Sequence, residues 1–104
     1  MAYKVTMSES SKLDIANIIS YIREDLQNSK AAKMLLKDFN RQKNFLKLSP
    51  YMFQFCPDEI LQQKGYRRFI FYKKYVAVYR IDKINKQVRI MRVFYGKREY
   101  EHLV

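Results

Sequence analysis

The hydrophobic period of this chain changes once, near residue 50, and that change restricts the fold more than any other feature. Upstream, apolar residues recur at spacings of three and four, as in an amphipathic helix. They form two runs: Ile15, Ile18, Ile19, Ile22 and Leu26, then Ala32, Leu35, Leu36, Phe39 and Leu46. Downstream, three segments rich in aromatic and β-branched residues predict strands at about Tyr66–Tyr72, Tyr75–Asp82 and Gln87–Tyr95. Helices and strands that are segregated in this way predict an α+β fold.

The start of the chain predicts a short strand followed by the first helix. Apolar and polar residues alternate over Tyr3–Met7, which is the period of a strand. Ser10 or Ser11 can cap the helix that follows, with Asp14 at the capping-box position after Ser11. We expect this helix to end near Gln27.

The second helix has its own start and stop signals. Asn28 or Ser29 can cap it, and Pro50 predicts its end near Leu48. Because the connection between the two helices is short, they should pack as antiparallel neighbours. Tyr51–Lys64 follows neither period, and we interpret it as a loop.

The three later strands should form an antiparallel meander, with the N-terminal strand at one edge and the helix pair on one face. The order is β-α-α-β-β-β within a single domain, residues 1–104. Lys73-Lys74 is the predicted hairpin position between the first two strands of the meander. Lys83–Lys86 is the next turn, where Asn85 suits a left-handed conformation. Simple alternation along the last strand predicts that Arg89 and Met91 point away from Ile90 and Arg92.

Positive charge is concentrated in the predicted sheet. Residues 64–104 hold twelve Lys and Arg against three acidic residues, or +9 of the total +11. Residues 1–63 hold nine basic and seven acidic residues, or +2. A basic sheet on a nearly neutral helical base predicts an acidic or polyanionic partner.

Several classes of function lack the residues that they need. One Cys and one His cannot form a usual zinc site, and two Gly cannot form a phosphate-binding loop, so no metal or cofactor is predicted. No secretory signal and no apolar run of membrane-spanning length is present. The lone Cys56 suits a reducing compartment, and we expect a cytoplasmic protein without a membrane partner.

Five stretches of the chain resemble the RelE/ParE superfamily of bacterial toxins from toxin–antitoxin modules. Ser8, Ser11, Asp14, Ile15, Ile18, Tyr21 and Ile22 resemble its first-helix pattern, and Asn28, Ala31 and Ala32 resemble the start of its second helix. Gly65-Tyr66-Arg67-Arg68, YVAVYRID (75–82) and VRIMRVFYGKR (88–98) resemble its sheet and terminal motif. The joint order and spacing of these pieces carry the resemblance.

The resemblance implies a growth-inhibiting toxin that an acidic antitoxin neutralises in a hetero-oligomer. ParE-like members act on DNA gyrase, which would make this a non-enzymatic poison. RelE-like members cleave mRNA on the ribosome with basic side chains and a tyrosine or histidine. Phe69 and Val76 stand where the nuclease branch has basic residues, which favours the ParE-like reading. A degenerate toxin that only binds its antitoxin is a third alternative.

Candidate site residues follow from these alternatives. In a nuclease, Arg67 and Arg98 would stabilise the phosphorane, and Tyr95 or His102 would move protons, since arginine cannot do so near neutral pH. The residues predicted to contact the target or nucleic acid are Arg68, Arg80, Arg89, Arg92, Lys97 and Tyr100. Arg67, Arg89, Arg92 and Arg98 are expected to serve activity more than stability, because exposed charges usually alter stability little.

Overall fold

A computed structural model describes residues 2–96, which form a four-stranded sheet with its helices between the first strand and the other three. The elements in chain order are β1 (Lys4–Met7), α1 (Glu9–Ser20), a π-helical turn (Tyr21–Asp25), α2 (Ser29–Leu48), α3 (Glu59–Gln63), β2 (Tyr66–Phe71), β3 (Tyr75–Asp82) and β4 (Gln87–Tyr95). This order confirms the α+β prediction. It also adds one element, because α3 lies inside the segment that we interpreted as a loop. The Asp58 carboxylate caps α3 by accepting a hydrogen bond from the Leu61 amide at 3.1 Å.

The sheet has the strand order β1-β4-β3-β2. Strands β2, β3 and β4 pair antiparallel, as the meander prediction requires, and β1 pairs parallel to β4. The sheet is therefore mainly antiparallel, with the N-terminal strand at one edge.

Buried side chains form a cluster on each face of the sheet. The larger cluster lies under the helices and includes Leu35, Phe39 and Leu46 of α2 with Phe69, Phe71, Tyr79, Val88 and Ile90 of the sheet. The smaller cluster comprises Cys56, Leu61, Tyr66, Val76, Val78 and Phe94, with Met91 packed against it. Because α3 contributes Leu61, a short helix partly covers the face that sequence alone left bare.

Local geometry corrects the predicted start of the first helix. Ser8, and neither Ser10 nor Ser11, caps α1: its hydroxyl accepts a hydrogen bond from the Ser11 amide at 3.0 Å. Asp14 consequently has no capping-box role. Asn28 caps α2 as predicted, accepting from the Ala31 amide at 3.0 Å.

The hairpin after β2 is shifted by one residue from its predicted position, whereas the next turn lies at Lys83–Lys86 as predicted and differs only in its left-handed residue. The hairpin after β2 has positive φ at Tyr72 (49°) and Lys73 (60°), as in a type I′ turn, so its centre lies one residue before Lys73-Lys74. In the next turn Lys86, and not Asn85, has the left-handed conformation, with φ of 55°. Asn85 instead donates its side-chain amide to Asp82 at 2.8 Å.

Candidate binding surface on the sheet

The sheet face that points away from α1 and α2, here called the outer face, carries four of the predicted binding arginines. Directly paired residues project to the same side of a sheet. The register pairs Arg80 with Arg89, and it pairs Val78 with Arg68 on one side and Arg92 on the other. The outer face therefore brings together Arg68, Arg80, Arg89 and Arg92.

A β-bulge makes this arrangement different from the predicted one. Tyr79 pairs with Ile90 but Val78 pairs with Arg92, so Met91 is an extra residue on β4. The bulge turns Arg92 to the side of Arg89, which corrects the expectation from simple alternation. Ser8 stabilises the bulge, because its hydroxyl donates a 2.6 Å hydrogen bond to the Met91 carbonyl.

Arg80 and Arg89 form an exposed pair of like charges. Among residues 2–96, no carboxylate oxygen lies within 4.0 Å of either guanidinium. Like charges placed directly opposite each other destabilise a sheet. The Arg80 guanidinium also lies over the Tyr66 ring, 5.4 Å from its centroid. Two adjacent guanidinium forks are suited to bidentate binding of carboxylate or phosphate.

A shallow depression of about 470 Å³ adjoins this pair. Its lining residues are Arg80, Ile81, Asp82, Lys83, Ile84, Arg89 and Met91. Asp82 is the acidic member, and hydrogen bonds from the Asn85 side chain and backbone lower its pKa. The remaining charges of the depression are positive, so it can accept an anionic group of a partner.

Arg92 makes a structural contact with the first helix. Its Nε and Nη2 donate to the Asp14 carboxylate at 2.8 and 3.1 Å. The hydrogen bonds from this contact raise the pKa of Arg92. Asp14 also accepts from the Val93 amide at 2.9 Å, so the contact ties α1 to the edge of β4.

Arg67 lies on the helix side of the sheet and not on the outer face. Its Nη1 donates to the Phe53 carbonyl at 2.7 Å. Its guanidinium lies 4.0 Å from the Phe55 ring centroid and 5.3 Å from that of Tyr51. These contacts hold residues 51–55 against β2. The guanidinium that was predicted to stabilise a phosphorane therefore binds groups of the protein itself.

Tyr95 is 41% exposed at the far end of the sheet from Arg67. It pairs with Tyr75, and the two rings meet edge to face with centroids 5.6 Å apart. Arg67 on β2 pairs with Tyr79, which lies four residues beyond Tyr75 along β3, so Arg67 is also two strands away from Tyr95. This displacement is roughly 16 Å at ordinary strand rise and spacing. The structure therefore does not bring these two candidate catalytic residues together.

The other tail candidates lie outside the described residues. Lys97, Arg98, Tyr100 and His102 belong to this group, so their roles stay predictions. Among residues 2–96, no three His, Cys, Asp or Glu side chains converge as a metal site. In the same part of the chain, no helix is long and apolar enough to cross a membrane.

Three solved toxin–antitoxin structures share this fold. A chromosomal ParDE system from P. aeruginosa superimposes with a TM-score of 0.71 at 17% identity, covering 90% of this chain and 96% of that one. The RelBE2 complex of Mycobacterium tuberculosis gives 0.52 at 17% identity, with 91% and 99% covered. The archaeal RelE–RelB complex of Pyrococcus horikoshii OT3 gives 0.50 at 12% identity, with 95% and 100% covered. At these identities the likeness establishes the fold, which is that of the RelE/ParE-like toxins.

Sequence matching identifies the family within that fold. Residues 5–100 match the model of the ParE toxin of the type II toxin–antitoxin system parDE. The match spans most of the chain, which therefore belongs to the ParE toxin family. This confirms the predicted superfamily resemblance. No curated protein sequence matches the chain.

Proposed function

We propose that this toxin arrests growth without cutting RNA, by binding a DNA-processing enzyme of the gyrase type through its outer face. An acidic antitoxin would neutralise it by occupying basic surface in a toxin–antitoxin hetero-oligomer. Both partners would be met in the cytoplasm. The net charge of +11 supports an acidic partner.

The burial of Phe69 and Val76 carries the non-enzymatic part of this proposal. Their side chains are only 1% and 3% exposed, within the two buried clusters of the sheet. By resemblance, the nuclease branch has basic residues at these positions. Here those positions are occupied by packed apolar groups that cannot contact an RNA phosphate. The internal contacts of Arg67 support the same conclusion.

The Arg80–Arg89 pair supports a target-binding role for the outer face. Both side chains are exposed on a rigid sheet, and their mutual repulsion disfavours the free protein. A carboxylate or phosphate of a partner would relieve that repulsion through charge-assisted hydrogen bonds. Such a contact needs shape and charge but no proton transfer.

Ribosome-dependent mRNA cleavage is the alternative, and the exposure of the Tyr95 phenol favours it. A phenol at the end of the sheet could exchange protons with RNA if the tail residues complete a site around it. A degenerate toxin that binds only its antitoxin is the third candidate, because binding an antitoxin requires basic surface and no activity.

Induced expression with three readouts separates these functions: growth, trapped gyrase–DNA cleavage complexes and integrity of total mRNA. We expect growth arrest with trapped complexes and intact mRNA, all reversed by co-expression of the acidic antitoxin. Arg80→Gln/Arg89→Gln should abolish trapping, whereas the matched control Lys12→Gln/Arg23→Gln, which removes two exposed charges from the first helix and its π-helical turn, should keep it. Degraded mRNA without trapped complexes would establish the nuclease reading. Expression of folded protein without growth arrest would support the third alternative, a degenerate toxin that binds only its antitoxin.

A further inference from the structure

The solvent-facing side of α2 carries a second basic surface, remote from the outer face. Residues 1–63 are nearly neutral as a whole, yet six of their nine basic residues lie within Ser29–Leu48. Five of the six are exposed, namely Lys30, Lys33, Lys37, Arg41 and Lys47. Asn40 and Asn44 are exposed between them, and we call these seven residues the α2 stripe.

Helical geometry aligns the stripe into one row. Lys33, Lys37, Asn40 and Asn44 follow one another at spacings of four, three and four, so they share one side of the helix. The opposite side is buried in the core, where Leu35 and Phe39 are 0% and 1% exposed. From Lys30 to Lys47 the row extends about 26 Å at the usual rise of a helix.

The lysines of the stripe are not neutralised by the described part of the chain. Asp38 is the one acidic residue of α2, and its carboxylate is bonded to the Tyr72 amide at 2.6 Å and to Arg41. Within residues 2–96, no carboxylate oxygen lies within 4.0 Å of Lys30, Lys33, Lys37 or Lys47.

The stripe is also unfavourable for the helix that carries it. Lys30 lies in the first turn of α2, where the helix dipole disfavours cations, and that turn has no acidic residue. Lys33 and Lys37 are like charges at a spacing of four, which destabilises a helix. A face needed only for solubility would mix both signs, so an anionic partner better explains this pattern.

We propose that the α2 stripe binds the phosphate backbone of duplex DNA without sequence preference. Protein–protein interfaces are depleted in lysine, whereas Lys, Arg and Asn are common contacts to phosphate and sugar. Single-strand readers add stacked aromatic rings, and the stripe contains none. Phe45, the exposed ring of α2, lies four residues after Arg41 and so at one margin of the stripe, but a single ring cannot stack successive bases. A straight, rigid row of cations is suited to the regular phosphates of a duplex.

Fluorescence anisotropy with a 24-base-pair duplex of arbitrary sequence, measured over a range of salt concentrations, tests this proposal on the full chain. For Lys30→Gln/Lys33→Gln/Lys37→Gln we expect weaker binding and a plot of log affinity against log salt that is flatter by roughly 2.7, or 0.9 for each lost phosphate contact. The matched control Lys12→Gln/Arg23→Gln/Lys64→Gln removes the same charge from exposed positions outside α2 and should change the slope by less than about 1. Arg80→Gln/Arg89→Gln should keep most DNA binding, which separates this surface from the proposed target site.

Several results would overturn the proposal. Equal slope changes in the stripe variant and its control would mean that only net charge matters. Absence of DNA binding by the unmodified chain would reject the site. Stripe-dependent binding of poly-glutamate without duplex binding would assign the surface to an acidic protein. Tighter, stripe-dependent binding of a single-stranded RNA of equal length would assign it to single strands.

Discussion

Asp14 and Arg92, 78 residues apart in the chain, form a two-pronged ion pair that joins the first helix to the last strand. The side chains are only 16% and 26% exposed, so the pair is largely shielded from water. The pairing of β1 with β4 ends at Ile90. Beyond that point the Asp14 carboxylate accepts a hydrogen bond from the backbone amide of Val93 in β4. A residue that we had placed in a capping box is thus a tertiary link.

Asp14→Asn should lower the free energy of unfolding by about 1.5–3 kcal/mol, because it weakens charge-assisted hydrogen bonds and leaves Arg92 without its counter-charge. Urea denaturation measures the change. Glu9→Gln is the control, because it removes only an exposed ion pair with Lys12 at 3.4 Å and one first-turn charge, and it should cost less than about 1 kcal/mol. Equal losses in both variants would mean that the link between α1 and β4 is unimportant.

Arg67→Ala should destabilise the protein by about 1–2 kcal/mol, because two cation–π contacts and a hydrogen bond to the Phe53 carbonyl are lost. This differs from the expectation that Arg67 serves activity more than stability. Lys73→Ala in the exposed hairpin is the control. Loss of toxicity with an unchanged thermal midpoint would restore the original expectation.

Arg80 and Arg89 should show repulsive coupling in a double-mutant cycle with glutamine. Either single substitution removes the like-charge contact and should raise the free energy of unfolding. Adding the other substitution should then raise it by less, and the difference, which is the coupling energy, should be about 0.2–1 kcal/mol. The coupling should shrink in 1 M salt, where charges are screened within a few ångströms. A coupling of zero at low salt would show that the pair is already neutralised.

Asp38 should make stability depend on pH in the acid range. The hydrogen bond from the Tyr72 amide, assisted by Arg41, lowers the pKa of this carboxyl below its usual 3.8. A lowered folded pKa gives stability that is complete above the unfolded pKa and is lost as the pH falls through the folded value. The stability difference between the unmodified protein and Asp38→Asn should therefore be constant near neutrality and shrink below about pH 4. Urea titrations at a series of pH values measure it, and a difference that grows on acidification would contradict the assignment.

Conservative changes at the proposed proton donors should leave a non-enzymatic toxin active. Tyr95→Phe and His102→Gln retain size but remove proton transfer, so both should keep full toxicity, whereas Arg98→Ala should abolish it. The comparison uses one induction assay with matched expression levels. If Tyr95→Phe protects mRNA from cleavage while antitoxin binding persists, the nuclease reading is correct.

Sequence alone determined most of the secondary structure and the toxin superfamily of this protein. The limits of β3 and β4, the Asn28 cap and the end of α2 all agree with the structure. Each depends on periodicity or capping within a few residues, so short-range physics suffices to specify it. The segments that resemble the toxin superfamily include Ser8 and Asp14, although their tasks were not apparent from the pattern.

Only the tertiary structure decided which arginines are available to a partner. A bulge at Met91 places Arg92 on the same side of the sheet as Arg89. β4 contains no glycine, the residue that would have indicated a bulge in the sequence. Asp14 then engages Arg92, Phe53 engages Arg67, and Arg80 and Arg89 have no described carboxylate partner. Burial also separates Phe69 and Val76 from any substrate. These outcomes depend on strand register and on contacts between distant segments, which a local pattern of charge and hydrophobicity does not encode.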